Sequence, residues 1–156
     1  MELTHKILLS RDVEDIKVVY QILKNCGEDM YEKYGLTHWK IPYPFERLIN
    51  DCATKEVYGV ISNGKIIATY QMAYENQSAN LTKFAVLPSC SGRGIGSACI
   101  KHMEDICRQK GLNAITLDVY NKSIHAIEFY KKNGFIAVGS ASTRNFTVTL
   151  MEKQIK

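Results

Sequence analysis

Residues 81–97 read Leu-Thr-Lys-Phe-Ala-Val-Leu-Pro-Ser-Cys-Ser-Gly-Arg-Gly-Ile-Gly-Ser: an apolar run, a proline break, and three glycines at alternate positions before a helical pattern. This stretch restricts the fold more than any other. Leu81, Phe84, Ala85, Val86 and Leu87 suit a largely buried strand, and Pro88 ends it because proline lacks an amide donor and fixes its own φ. Gly92, Gly94 and Gly96 let the backbone turn and approach a ligand with no Cβ in the way. The helix that follows presents unpaired N–H groups and the positive end of its dipole. The segment therefore reads as strand, anion cradle and helix, a loop built for phosphate.

Spacing chooses among the known glycine-rich loops. A P-loop requires Gly-x-x-x-x-Gly-Lys-Ser/Thr, and Ser97 rather than lysine follows Gly96. A dinucleotide fingerprint requires Gly-x-Gly-x-x-Gly/Ala directly after a strand; here Ser97 would stand at the third glycine and Pro88 to Ser91 intervene. The remaining match is a resemblance. Ser91-Gly92-Arg93-Gly94-Ile95-Gly96 is similar to the pyrophosphate loop Gln/Arg-x-x-Gly-x-Gly/Ala of the GNAT superfamily of acetyl-CoA-dependent N-acyltransferases. Ser91 departs from it, standing where the family usually has Gln or Arg. The cradle itself does not need that side chain, because backbone amides hold the phosphate.

At 156 residues the chain fits one domain, residues 1–156, long enough to bury roughly 70% of its unfolded surface. The net charge of +4 is too small to argue for nucleic acid. Its distribution says more. Residues 1–78 carry nine Lys/Arg against 11 Asp/Glu, whereas residues 79–156, which hold the glycine loop, carry 11 against five. A basic half suits a polyanionic ligand such as CoA, and equally a lysine-rich solvated surface. Cys26, Cys52, Cys90, Cys99 and Cys107 form no Cys-x-x-Cys pair and are odd in number, so reduced thiols and a cytoplasmic location are expected. The amino terminus lacks a basic segment followed by an apolar stretch, and no apolar run approaches the ~20 residues that span a bilayer.

Along the chain, Lys6 to Leu9 is a short strand, and Ser10 or Asp12 is placed to cap a helix whose apolar stripe is Val13, Ile16, Val19/Tyr20 and Leu23. From about Asp29 to Phe45 the character changes. Five of the 15 aromatics, Tyr31, Tyr34, Trp39, Tyr43 and Phe45, fall there beside His38, Pro42 and Pro44. Such a cluster is either an acceptor-binding wall or the apolar underside of a lid packed on the sheet. A helical turn or two follows from Phe45 to Asp51. Glu56–Ile61 and Ile66–Met72 flank Asn63-Gly64, the strongest hairpin signal present. Ile95, Cys99, Met103, Ile106 and Cys107 keep helical spacing to Lys110, Glu104 and Arg108 can pair at i,i+4, and Gly111 supplies the stop. His102 beside this stripe is assigned no role. Ala114–Tyr120 is a β-branched strand reached by a helical crossover, hence parallel to the strand before the loop. Ser123 is placed to cap a helix through Ile127 and Tyr130 that ends at Asn133-Gly134, and Phe135–Val138 with Phe146–Leu150 make a closing hairpin.

Asn121-x-x-x-x-Ala126-Ile127-x-Phe129-Tyr130-x-x-x-Gly134-Phe135 carries the second half of the resemblance. In GNAT enzymes this pattern follows the fifth strand, its asparagine touches the cofactor, and its tyrosine lies near the thioester sulfur. With the glycine loop it covers residues 81–135. The resemblance implies a single-domain α/β fold, a mixed central sheet of about six to seven strands flanked by about four helices. It implies acetyl-CoA as co-substrate with no metal, held by Phe84, Ala85, Val86, Ser91, Gly92, Arg93, Gly94, Ile95, Gly96, Ser97, Asn121 and Tyr130. The strands before and after the loop are expected to splay, freeing amides around Phe84 to Val86 for the pantetheine arm.

Acetyl transfer by direct attack needs a base, an oxyanion donor and an acid. By the resemblance the donor is the N–H near Val86 and the acid is Tyr130. Where some members place a glutamate base this chain has Asn80 and Thr82, which leaves Glu75, Asp118 or His38 through water as candidates. The expected activity is N-acetyl transfer to a primary amine of a small molecule or peptide, with no nucleic-acid or membrane partner and with a homodimer left open. The alternatives are a non-catalytic acyl-CoA-binding module and a dinucleotide-binding oxidoreductase.

Overall fold

The computed structural model describes residues 2–156. Its elements run β1 (Thr4–Leu8), α1 (Val13–Tyr34), α2 (Phe45–Thr54), β2 (Glu56–Ser62), β3 (Lys65–Glu75), β4 (Ser78–Val86), a 3-10 turn at Pro88–Cys90, α3 (Ile95–Lys110), β5 (Ala114–Tyr120), α4 (Ile124–Lys132), β6 (Ile136–Ser142) and β7 (Thr147–Gln154). The strands form one mixed sheet ordered β1-β2-β3-β4-β5-β7-β6. This is the α/β architecture that the strand and helix order implied. The chain divides into two compact units, the residues up to Met72 with Lys83–Ile95, and Ala73–Thr82 with Gly96–Lys156.

In the first unit, β1 and β3 flank β2, both antiparallel to it. Asn63 and Gly64 both have positive φ, 50° and 77°, the primed turn that matches the twist of the flanking strands. Helix α1 packs through Ile16, Val19, Ile22, Leu23 and Cys26 on a core shared with Leu8, Leu48 and Val57. Val13, expected on that stripe, is 38% exposed, so burial starts one turn later. The expected cap differs too. The Asp12 carboxylate accepts the Leu9 N–H at 2.8 Å and makes no cap bond to α1. The helix also runs past Asp29 to Tyr34, supported by a Lys33–Asp29 pair at 3.3 Å, and ends where Gly35 turns left-handed at φ 68°. A Cβ at Gly27 would overlap the Trp39 carbonyl oxygen, so only glycine lets the aromatic loop press against α1.

In the second unit, β4 pairs in parallel with β5 over Ser78↔Ala114, Ala79↔Ile115 and Asn80↔Thr116. The β5–β7 ladder, by contrast, runs the whole of β5, from Ala114↔Gln154 to Tyr120↔Val148. Asn76, at φ 55°, turns the chain between β3 and β4. Helix α3 buries Cys99, Ile100, Met103 and Cys107 and stops at Gly111, φ 70°. Its Glu104 is not mainly a partner of Arg108. Lys153 from β7 lies 2.9 Å from Glu104, and Arg108 turns to Asp105 at 3.0 Å, its Nη2 staying 4.0 Å from Glu104. Ser123 occupies the N-cap position of α4, yet its hydroxyl makes no cap bond and is buried without a hydrogen-bond partner.

Candidate active site

The loop after β4 is set by its own short-range bonds. Cys90 N–H donates to the Leu87 carbonyl at 2.8 Å, and the Ser91 hydroxyl donates to the Pro88 carbonyl at 2.9 Å. Ser91 therefore points its side chain back into the turn. Gly92 and Gly94 both have φ 78°, and a Cβ built on either meets no atom within 4 Å. Left-handed backbone facing open space is what a cradle for an anion requires, since an L residue there would be strained and would obstruct close approach. Gly96 differs. It lies inside α3, and a Cβ there would come 2.8 Å from Cζ of Phe129 in α4. Its lack of a side chain serves helix packing, not the turn.

The end of β4 is irregular for a reason invisible in its composition. Lys83 has φ 51°, a left-handed residue in mid-strand, which breaks the pleat and re-aims the side chains around it. Beyond it the Phe84 ring meets Tyr70 edge-on, centroids 6.0 Å apart, and Ala85 enters the core. The Val86 carbonyl accepts the Cys26 thiol at 3.2 Å, and burial pushes that thiol up to about 12. Asn80, in the neighbourhood where some members of the resembled family place a glutamate base, donates its amide to Thr116 Oγ1 at 3.1 Å and to the Thr116 carbonyl at 3.3 Å.

A cavity of about 150 Å³ in the first unit is lined by Leu23, His38, Trp39, Ile41, Tyr43 and Lys83. Lys83 Nζ sits 4.7 Å from the Tyr43 ring centre, and the Arg47 guanidinium 5.1 Å from it. Tyr43 titrates above its ordinary value because of burial, then its hydrogen bond to Asp51. Buried Asp51 also accepts the Gln71 amide at 3.2 Å. The aromatic stretch thus splits between both readings. Trp39 and Tyr43 line the cavity, Phe45 packs edge-on against Tyr20 in the core region, and Tyr31 and Tyr34 are exposed. Of the three candidate bases, His38 lines the cavity; Glu75 is exposed at the end of β3, and Asp118 is exposed on β5 opposite Leu150.

In the second unit Asn121 is exposed just beyond β5, its N–H donating to the Thr147 carbonyl at 3.0 Å. Tyr130 stands in α4 with its ring 5.4 Å from both Phe129 and Phe135. Burial pushes its phenol well above the ordinary tyrosine value, so the hydroxyl keeps its proton across the neutral range. Among the described residues no group of His, Cys, Asp and Glu is placed to hold a metal ion, and no helix is long and apolar enough to cross a membrane.

The model of the acetyltransferase (GNAT) family matches residues 17–135, a span containing both the glycine loop and the Asn121–Phe135 block. The chain belongs to the GNAT family. It is an acetyl-CoA-dependent N-acetyltransferase, and neither the acyl-CoA-binding module nor the oxidoreductase is favoured. Curated relatives include the uncharacterized protein YxbD of Bacillus subtilis, 25% identical over 73% of each chain. Another is the streptothricin acetyltransferase of Streptomyces lavendulae, 28% identical over 57% of this chain and 48% of the relative. Among solved structures, the PaiA N-acetyltransferase of Thermoplasma acidophilum in complex with coenzyme A superposes with a TM-score of 0.78 at 20% identity, covering 99% of both chains. The ribosomal-protein-S18-alanine N-acetyltransferase of Escherichia coli gives 0.77 at 19%, covering 99% of this chain and 95% of that one. These likenesses establish the GNAT fold. Two features of this GNAT chain escape sequence reading, the left-handed Lys83 and the buried Tyr43–Asp51–Gln71 contacts. For Lys83 no local signal exists, because left-handed backbone is ordinarily the province of Gly, Asn and Asp.

Proposed function

We propose that this enzyme transfers the acetyl group of acetyl-CoA to a primary amine by direct attack, with residues 1–156 acting as one cytoplasmic catalytic domain. The observation that carries the reading is the pair of left-handed glycines, Gly92 and Gly94, opening on empty space before the 16-residue helix α3. Backbone amides from Ser91 through Gly92, Arg93, Gly94, Ile95 and Gly96 to Ser97 hold the pyrophosphate. First-turn amides lack intrahelical acceptors, and the dipole end favours an anion. Phe84, Ala85 and Val86 offer main-chain groups to the pantetheine arm. This is supported by the early end of the β4–β5 ladder at Asn80↔Thr116, which leaves the later residues of β4 beyond it. Asn121 contributes its side-chain amide, exposed just after β5. The free state of all five cysteines supports the cytoplasmic setting.

Bound acetyl-CoA supplies an activated acetyl carbon, to which a C–N bond forms as the C–S bond breaks. The chain's own groups do the rest. His38, lining the cavity where the amine is received, takes the proton that the amine must lose, directly or through water. The Val86 N–H donates to the carbonyl oxygen as it gains charge. Tyr130 gives its proton to the departing sulfur, which would otherwise leave as a thiolate. Release of free thiol from acetyl-CoA in the presence of an amine panel tests the whole reading. Tyr130→Phe tests the acid: kcat should fall by roughly 10²–10⁴ with acetyl-CoA affinity nearly kept. A fall below about threefold, at a pH where chemistry limits turnover, would remove Tyr130 from the mechanism.

A further inference from the structure

We propose that Gly27 sets the width of the acceptor cavity and so limits the body of the amine to a single ring. This rests on the acetyl-transfer reading and concerns the walls of the cavity beside β4. Helix α1 contributes Leu23, and the loop between α1 and α2 contributes His38, Trp39, Ile41 and Tyr43, with Lys83 of β4 completing the lining. Four of the six lining residues thus lie on one short connection. Whatever fixes that loop against α1 fixes the room inside. The room is about 150 Å³, the space that holds one benzene ring.

The loop is seated at two points on one side of α1. Gly27 stands four residues after Leu23 and four before Tyr31, a spacing that stacks positions on one face of a helix. At Gly27 the main chain of Trp39 fills the space of the missing side chain. A Cβ there would overlap the Trp39 carbonyl oxygen and come 3.0 Å from its carbonyl carbon and 3.3 Å from its Cβ. One turn on, the Lys40 ammonium lies 4.1 Å from the centre of the Tyr31 ring. Gly27 has no positive φ and sits inside the helix, where alanine is the better helix former. The glycine therefore serves the contact and not the helix. A Cβ would meet main chain, which does not rotate aside as a flexible side chain does, while Ile22, Leu23 and Cys26 lock this turn of α1 into the core. The loop must then move off α1, and the cavity widens.

Trp39 is the one tryptophan of the chain, so its fluorescence reports the seat of the loop without any turnover. Wild type and Gly27→Ala are compared by Trp39 emission, by calorimetric affinity for acetyl-CoA, and by kcat/KM from thiol release with benzylamine and 1-naphthylmethylamine. Wild type should favour benzylamine. In Gly27→Ala the ratio should move towards the naphthyl amine by about tenfold, the low end of what a methylene-sized change in a pocket is worth. Trp39 emission should shift to the red as the ring gains water, with acetyl-CoA affinity kept. A mere loss of stability would lower both amines together and leave their ratio unchanged. Tyr31→Ala removes the second hold at a residue 42% exposed, without touching the core. It should move emission and ratio in the same direction, and it decides the matter if Gly27→Ala does not fold. An unchanged ratio or emission in the folded variant would overturn the inference, as would a wild-type preference for the naphthyl amine. Thiol release with other amines but with neither of these two would overturn it and leave acetyl transfer standing. No thiol release with any amine would overturn the acetyl-transfer reading, and this inference with it.

Discussion

Gly94 offers a clean separation of charge from backbone strain in the phosphate cradle. Its φ of 78° is left-handed, and the space beyond its missing Cβ is open to 4 Å. Asp and Asn are nearly isosteric, and both tolerate left-handed backbone better than other side chains. Gly94→Asp and Gly94→Asn therefore share their strain and their steric bulk and differ by one negative charge. A carboxylate about 6 Å from a diphosphate of charge about −2 is repelled by about 1.4 kcal/mol at a dielectric of about 80, and by about 2.8 kcal/mol at about 40. The predicted gap is thus about tenfold to a hundredfold in acetyl-CoA affinity, weaker for Asp. Calorimetric titration of both folded variants measures it directly. Because the loop is exposed, the gap should shrink as salt is raised towards 1 M, where the Debye length falls to about 3 Å. Equal affinities for Asp and Asn at low salt would refute the cradle. The glycines would then serve only the turn.

Gly96→Ala should act through stability instead. Its Cβ would meet the Phe129 ring at 2.8 Å, and overpacking of about 1–3 kcal/mol lowers Tm by about 2–4 °C per kcal/mol in a chain of this size. A thermal melt at the wild-type Tm would show that Phe129 simply swings aside. Trp39→Ala should raise KM for the amine while leaving that for acetyl-CoA in place, because Trp39 lines the cavity and lies outside the glycine loop; steady-state kinetics on both substrates decide it. The raised phenol of Tyr130 also sets a pH expectation. Deprotonation moves to higher pH than in a free tyrosine, so a kcat–pH profile should show no descending limb from this group up to about pH 10, and a limb below that pH which disappears in Tyr130→Phe would refute the shift.

Much of the chain could be read locally. Strand β5 was legible from Ala114 to Tyr120 because a β-branched run between polar turns has one good use. The Asn63-Gly64 turn and the stops at Gly111 and Gly134 were legible because positive φ at those residues is a property of the residue itself. The stripe of α3 was legible because its period is helical. The two blocks that place the chain among GNAT enzymes are local as well, being short runs whose spacing is their chemistry. Tertiary structure decided the rest. Lys83 turns left-handed although nothing in its neighbourhood of the sequence asks for it. Gly96 is required by Phe129, and Glu104 is claimed by Lys153 over the nearby Arg108. The cavity draws on Leu23, on the loop from His38 to Tyr43 and on Lys83, three separate stretches of the chain. Period and turn chemistry act between residues a few positions apart and leave their mark in the sequence. Which distant side chains meet, and so what lines the cavity, depends on how the helices and strands pack.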